Sequence, residues 1–188
     1  EKTEPQILIY HSHSQEAFSD SREGKVEDTI VGVGEYLTQL LTEKYGYQVM
    51  HVTETFDMAG GELDRSKAYD YAREWLEPVL EKHSSIQVLI DLHRDGVPED
   101  RHLVTQINGR PTAQIMFYNG LSHTVSSGDL SYLPNPYIQD NLAFSLQMQI
   151  TAEEYYPGFS RAIYLKGYRY NMHYCPKTLL VEVGAQTN

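Results

Sequence analysis

The chain has 188 residues, with 15 Lys+Arg against 26 Asp+Glu for a formal net charge of −11, and it is 40% hydrophobic and 11% aromatic. These values fit one globular domain with a packed core and exclude a disordered chain, which carries few aromatics. No apolar run approaches the about 20 residues of a membrane span, no basic cluster suits a nucleic-acid backbone, and the lone Cys175 has no intramolecular partner.

Residues 6–10 (QILIY) read as a short buried strand. A polar stretch follows, and then Ile30, Val33, Leu37, Leu40 and Leu41 recur at helical spacing, with a stop near Gly46. Residues 47–53 read as a second strand. Residues 64–82 carry a helical stripe (Ala68, Ala72, Trp75, Leu76, Val79, Leu80) that Pro78 is expected to bend or break near its end. Residues 88–92 (VLIDL) are a third buried strand. Residues 102–107 and 113–118 flank Asn108-Gly109 and predict a hairpin. A loop over 119–136 precedes a helix over 137–155, with Ile138, Leu142, Leu146 and Ile150 on one side. Residues 163–165 predict a short strand and 178–183 (TLLVEV) a last buried one. This alternation predicts a three-layer α/β fold, a mostly parallel sheet with helices on both faces, in a single domain over 1–188. Ligands of such sheets sit at the carboxyl ends of the strands.

Imidazoles and carboxylates gather at those ends. The first strand runs into His11, Ser12, His13, Ser14, Gln15 and Glu16; the third runs into Asp91, His93, Arg94 and Asp95; the last contains Glu182. Two His and one Glu suit a catalytic zinc, which takes three protein ligands and keeps a fourth position for water. The spacing His13-x-x-Glu16 is weak alone, since His51-x-x-Glu54 repeats it, but only His13 follows a strand that has His93 as a natural third partner. An unpaired carboxylate in the apolar run around Glu182 is costly, so it is either paired or functional. The competing readings are ordinary strand-end histidines and a salt-bridged Glu182. Gly158-Phe-Ser160 lacks the second glycine of a hydrolase elbow, no phosphate-binding loop is present, and Cys175 near His173 is too thin a pattern for a thiol nucleophile.

Together, YHSHSQEAF, VGVGEYL, DLHRD and YNMHYCPKTLLVEVGAQTN resemble the stage II sporulation protein P family over nearly the whole chain. The resemblance implies a zinc-dependent N-acetylmuramoyl-L-alanine amidase, a peptidoglycan hydrolase that cuts between glycan and stem peptide. It also implies endopeptidase activity on cross-links, and action in engulfment beside stage II sporulation protein D and M type partners. An extracytoplasmic place on the mother-cell side follows, held by an N-terminal membrane tether; a chain opening at Glu1 without Met or signal peptide reads as trimmed of it. Against the wider zinc amidase pattern, His13 and His93 fall on the two histidine ligands and Glu182 on the catalytic glutamate. The second ligand has two candidates. Glu27 stands at about the amidase distance, 19 residues before Gly46, whereas Glu16 fits the His-x-x-Glu pair of zinc carboxypeptidases. Glu16 is preferred because it shares a loop with His13. Arg94 is expected to hold a stem-peptide carboxylate, and His11 to support the metal loop or donate to substrate. A peptidase confined to peptide bonds and a non-catalytic wall-binding module are the rival readings.

Overall fold

The structure is a computed structural model that describes residues 4–188. Strand β1 (Ile7–Tyr10) leads through a polar loop and a 3₁₀ turn at Val26–Asp28 into helix α1 (Ile30–Gln39). Thr29 caps α1 by accepting from the Val31 amide at 3.3 Å. The helix widens into a π turn over Leu40–Lys44, and Gly46, at φ +72°, turns the chain out of it. Then come β2 (Val49–His51), the two-residue strands β3 (Met58–Ala59) and β4 (Glu62–Leu63), helix α2 (Ala68–Lys82) and strand β5 (Val88–Asp95). Strands β6 (Val104–Ile107), β7 (Arg110–Ala113), β8 (Ile115–Gly120), β9 (His123–Thr124) and β10 (Gly128–Asp129) follow. The chain closes with α3 (Ile138–Tyr155), β11 (Tyr164–Lys166) and β12 (Thr178–Ala185).

The main sheet has six strands in the order β11-β8-β12-β5-β1-β2. The run β12-β5-β1-β2 is parallel; β8 lies antiparallel to β12, and β11 parallel to β8. Alternation along the strands divides the core into two faces. Ile7 and Ile9 of β1, Leu92 of β5 and Leu179 and Val181 of β12 pack with α1 and with Phe144 of α3. Leu8 and Tyr10 of β1 and Leu89 of β5 pack with Ala72, Trp75 and Leu76 of α2.

Three expectations need correction. Asn108 (φ +51°) and Gly109 (φ +75°) do make a tight hairpin turn, but its second arm is Arg110–Ala113. The apolar residues beyond it, Ile115–Gly120, join the main sheet because they are long enough to pair with β12. Pro78 does not end α2, which continues to Lys82. It falls near the helix end, and both Pro78 and Glu74, four residues earlier, are exposed, so the acceptor it leaves unpaired is not shut away from solvent. In α3 the predicted stripe does not face the sheet: Leu146 (52% exposed) and Ile150 (58%) point outward. The buried positions are Asn141 and Ser145, whose side chains bond the Met172 carbonyl and the Asn119 amide at 2.7 and 2.8 Å. Buried polar groups left unpaired cost more than exposed leucines, so the helix turns its polar side inward.

Candidate metal centre

The loop after β1 is held by carboxylates of its neighbours. Ser12 donates to Asp91 through both its amide (2.9 Å) and its hydroxyl (2.8 Å), and Ser14 and the Gln15 amide donate to the buried Asp57 at 2.9 and 3.1 Å. These bonds turn the chain so that His13 and Glu16 face His93 on the α2 side of the sheet. His13 Nδ1 lies 3.4 Å from Glu16 Oε1, and His93 Nδ1 lies 3.5 Å from Glu16 Oε2. One ligand atom from each of the three residues lies within 4.8 Å of the others. Arms of about 2.1 Å to a tetrahedral ion give an edge of roughly 3.4 Å, so the separations suit one small cation.

The tautomer suits it too. His93 Nε2 donates to Asp91 Oδ1 at 2.8 Å, with the Ser12 hydroxyl 2.9 Å away, so Nδ1, which faces Glu16, is the nitrogen that a cation would take in exchange for its proton. Burial favours a neutral Glu16 carboxyl, but hydrogen bonds from His13 and His93 and from the Arg94 amide (2.8 Å) hold it well below the usual carboxylate range. Burial would lower the His93 pKa, yet Asp91 and Glu16 raise it well above its ordinary value. A positive charge is therefore strongly favoured here, and the donor set of two imidazoles and one carboxylate is that of a three-ligand catalytic zinc.

Glu182 pairs in register with His93 across the parallel β12–β5 ladder, so its side chain emerges on the same face. Burial, backed by the charges of Glu16, Asp95 and Asp91 and opposed by His93, pushes its pKa up to about 7. Its Oε2 is buried and has no hydrogen-bond partner among the described residues. No salt bridge neutralises it within 4.0 Å among those residues, and it faces the centre as an unspent acceptor.

The other expected residues lie elsewhere or serve otherwise. Glu27 stands on the exposed 3₁₀ turn, 3.8 Å from both Arg22 and Lys25, outside the cluster. His11 does not reach the metal loop; it continues the Ile7–Ile9 face, its Nδ1 2.8 Å from the Leu92 carbonyl and its Nε2 2.9 Å from His51 Nε2. Arg94 spends its guanidinium on backbone, Nε donating to the Ala17 carbonyl at 2.9 Å and Nη1 to that of Asp95 at 3.2 Å. The sequence places Asp91 at the strand end but gives it no role, although Asp-x-His on a strand puts both residues on one face. Tyr69, whose ring lies edge-on to His13 at 5.5 Å and parallel to His93 at 6.4 Å, and Arg65, 3.6 Å from Glu16 Oε1, arrive through tertiary packing and leave no signal in spacing.

The family model for stage II sporulation protein P matches residues 1–188, the whole chain. The chain belongs to the stage II sporulation protein P family. It is 22% identical over 196 residues to stage II sporulation protein P of Bacillus subtilis (strain 168), covering 97% of this chain and 46% of that relative. The chain thus spans just under half the length of the curated relative it matches. Among solved structures, the CwlD amidase of Clostridioides difficile, in complex with the GerS lipoprotein, matches at TM-score 0.56 and 12% identity over 97% of this chain and 84% of that one. A weaker likeness, TM-score 0.48 at 12% identity over 98% and 86% of the two chains, is to the apo N-acetylmuramyl-L-alanine amidase Ami1 of Mycobacterium abscessus. The stage II sporulation protein P domain therefore has the α/β fold of the CwlD amidase. Among its described residues no helix is long and apolar enough to cross a membrane.

Proposed function

We propose that this domain is a zinc-dependent N-acetylmuramoyl-L-alanine amidase that acts on peptidoglycan outside the cytoplasm during sporulation. The observation that carries this reading is the pairing of the His13–Glu16–His93 cluster with a partnerless Glu182 that titrates near neutrality. His13, Glu16 and His93 would hold the ion, with Asp91 fixing the His93 ring. Zinc bound there supplies Lewis acidity, which polarises a carbonyl and makes water nucleophilic near pH 7. Glu182 takes the proton of the attacking water on its unpartnered Oε2 and returns it to the departing L-Ala amine. Tyr69 shields the histidines on one side and keeps bulk water from them. Membership of the family and the amidase fold support the substrate class, and engulfment partners of the D and M types remain part of this proposal.

The test is digestion of purified sacculi by the zinc-loaded domain, with products read by mass spectrometry. Intact stem peptides bearing a free L-Ala amine are expected. Products cut only within peptides would replace the amidase by an endopeptidase, and sacculi left unchanged with no metal bound would leave a wall-binding module.

A further inference from the structure

Tyr69, whose ring neighbours those of His13 and His93, also lines a hollow of about 240 Å³. Tyr69, Tyr168 and Tyr170 form its aromatic walls, and Arg73 and Arg169 bring two guanidiniums to it. Asp70 lines it as well, so the cation left without a carboxylate partner among the described residues is Arg169. Arg73 is held 3.2 Å from an exposed Asp70. Arg169 makes no ion pair within 4.0 Å among the described residues, and its guanidinium reaches only the Pro134 carbonyl, at 3.3 Å. Burial lowers its pKa, with Arg73 adding to that effect and Tyr174, Glu77 and Asp70 opposing it. Five donors in a rigid fork, mostly unspent and partly desolvated, are the signature of a site for a planar anion.

The wall is rigid. Tyr170 (φ +49°) and Asn171 (φ +55°) are successive non-glycine residues in the left-handed region, a costly conformation that persists only where the surroundings impose it. Asn171 donates to the Tyr69 carbonyl at 2.8 Å, and the Tyr170 ring lies between those of Tyr69 (5.3 Å) and Tyr118 (5.0 Å). Tyr69 thus belongs both to the hollow and to the metal cluster, so a ligand anchored by the arginines lies next to the histidines. The aromatic walls favour an organic acid over a bare inorganic anion.

We infer that Arg169 and Arg73 clamp the free α-carboxylate of the second stem-peptide residue, a γ-linked D-Glu, in this hollow while the scissile amide lies at the metal cluster. This rests on the amidase reading above and names the part of the substrate that sets specificity. It also moves to these two residues the role that the sequence offered to Arg94, whose fork is occupied by backbone carbonyls.

The test is calorimetric titration of the zinc-loaded protein with the tripeptide L-Ala-γ-D-Glu-L-Lys, its C-terminus blocked, with the Glu α-carboxyl either free or amidated. The free acid is expected to bind at least about tenfold more tightly, and Arg169→Gln to remove the difference, with Arg73→Gln narrowing it. Equal binding of the two peptides by the unsubstituted protein overturns the inference and needs no variant. So does a preference that survives in both folded variants. The tripeptide has no muramoyl amide, so a failed titration leaves the amidase reading intact, whereas tight binding with no cleavage of sacculi strikes that reading alone.

Discussion

Two pairs of histidines flank the same end of the sheet and share little else. On the α2 face, His13 and His93 meet a buried carboxylate, and each keeps a ring nitrogen turned toward it. On the α1 face, His11 and His51 turn to each other, and all four ring nitrogens are engaged: by each other, by the Leu92 carbonyl and by Glu35 at 3.1 Å. Gly34 lets them close, because a Cβ there would come 2.6 Å from His51 Nε2 and 2.7 Å from His11 Nε2. His11 and His13 are two residues apart, yet one imidazole is consumed by structure and the other is left for a ligand. Residue type alone does not separate the two pairs; what the ring nitrogens face does, a buried carboxylate on one side of the sheet and each other on the other.

The contrast can be broken in order of expected effect. His93→Ala should take the bound metal from about one ion per chain to near none and bring hydrolysis of sacculi to background, as chelation should in the unsubstituted protein. Metal analysis showing full occupancy in that variant would contradict the assignment. Glu182→Gln should keep its metal and lose roughly 10²–10⁴-fold in rate; a variant with undiminished turnover removes Glu182 from the chemistry. Asp91→Asn should weaken metal affinity by about 10–100-fold, read by competition with a chelator. Gly34→Ala should act on the other face, costing roughly 1–3 kcal/mol in denaturant unfolding while metal content stays the same. Metal loss there without a change in stability would dissolve the distinction between the two pairs. Glu27→Ala, on the exposed turn, should change neither metal content nor stability beyond about ±0.5 kcal/mol.

Most of this architecture could be read from the chain, for reasons visible in particular residues. Buried strands such as QILIY and VLIDL announce themselves by composition, and a parallel sheet sends their ends to one edge, which is why His13, His93 and Glu182 could be proposed as a set. The choice between Glu16 and Glu27 could not be made from spacing. It depends on Asp57 and Asp91 pinning the loop, and those contacts span more than forty residues. The face of α3 was misread because Asn141 and Ser145 gain more from long-range hydrogen bonds than the leucines gain from burial. Tyr69, Arg65 and the Arg73–Arg169 hollow depend on where α2 and the segment before β12 meet, which no local pattern encodes.

β12, the last strand in the sequence, lies in the interior between β5 and β8. It alone joins the two parts of the sheet, β5-β1-β2 on one side and β8-β11 on the other, and it places Glu182 opposite His93. On the reading proposed above, a chain lacking β12 would still carry His13, Glu16 and His93 but would have no Glu182 to move the proton.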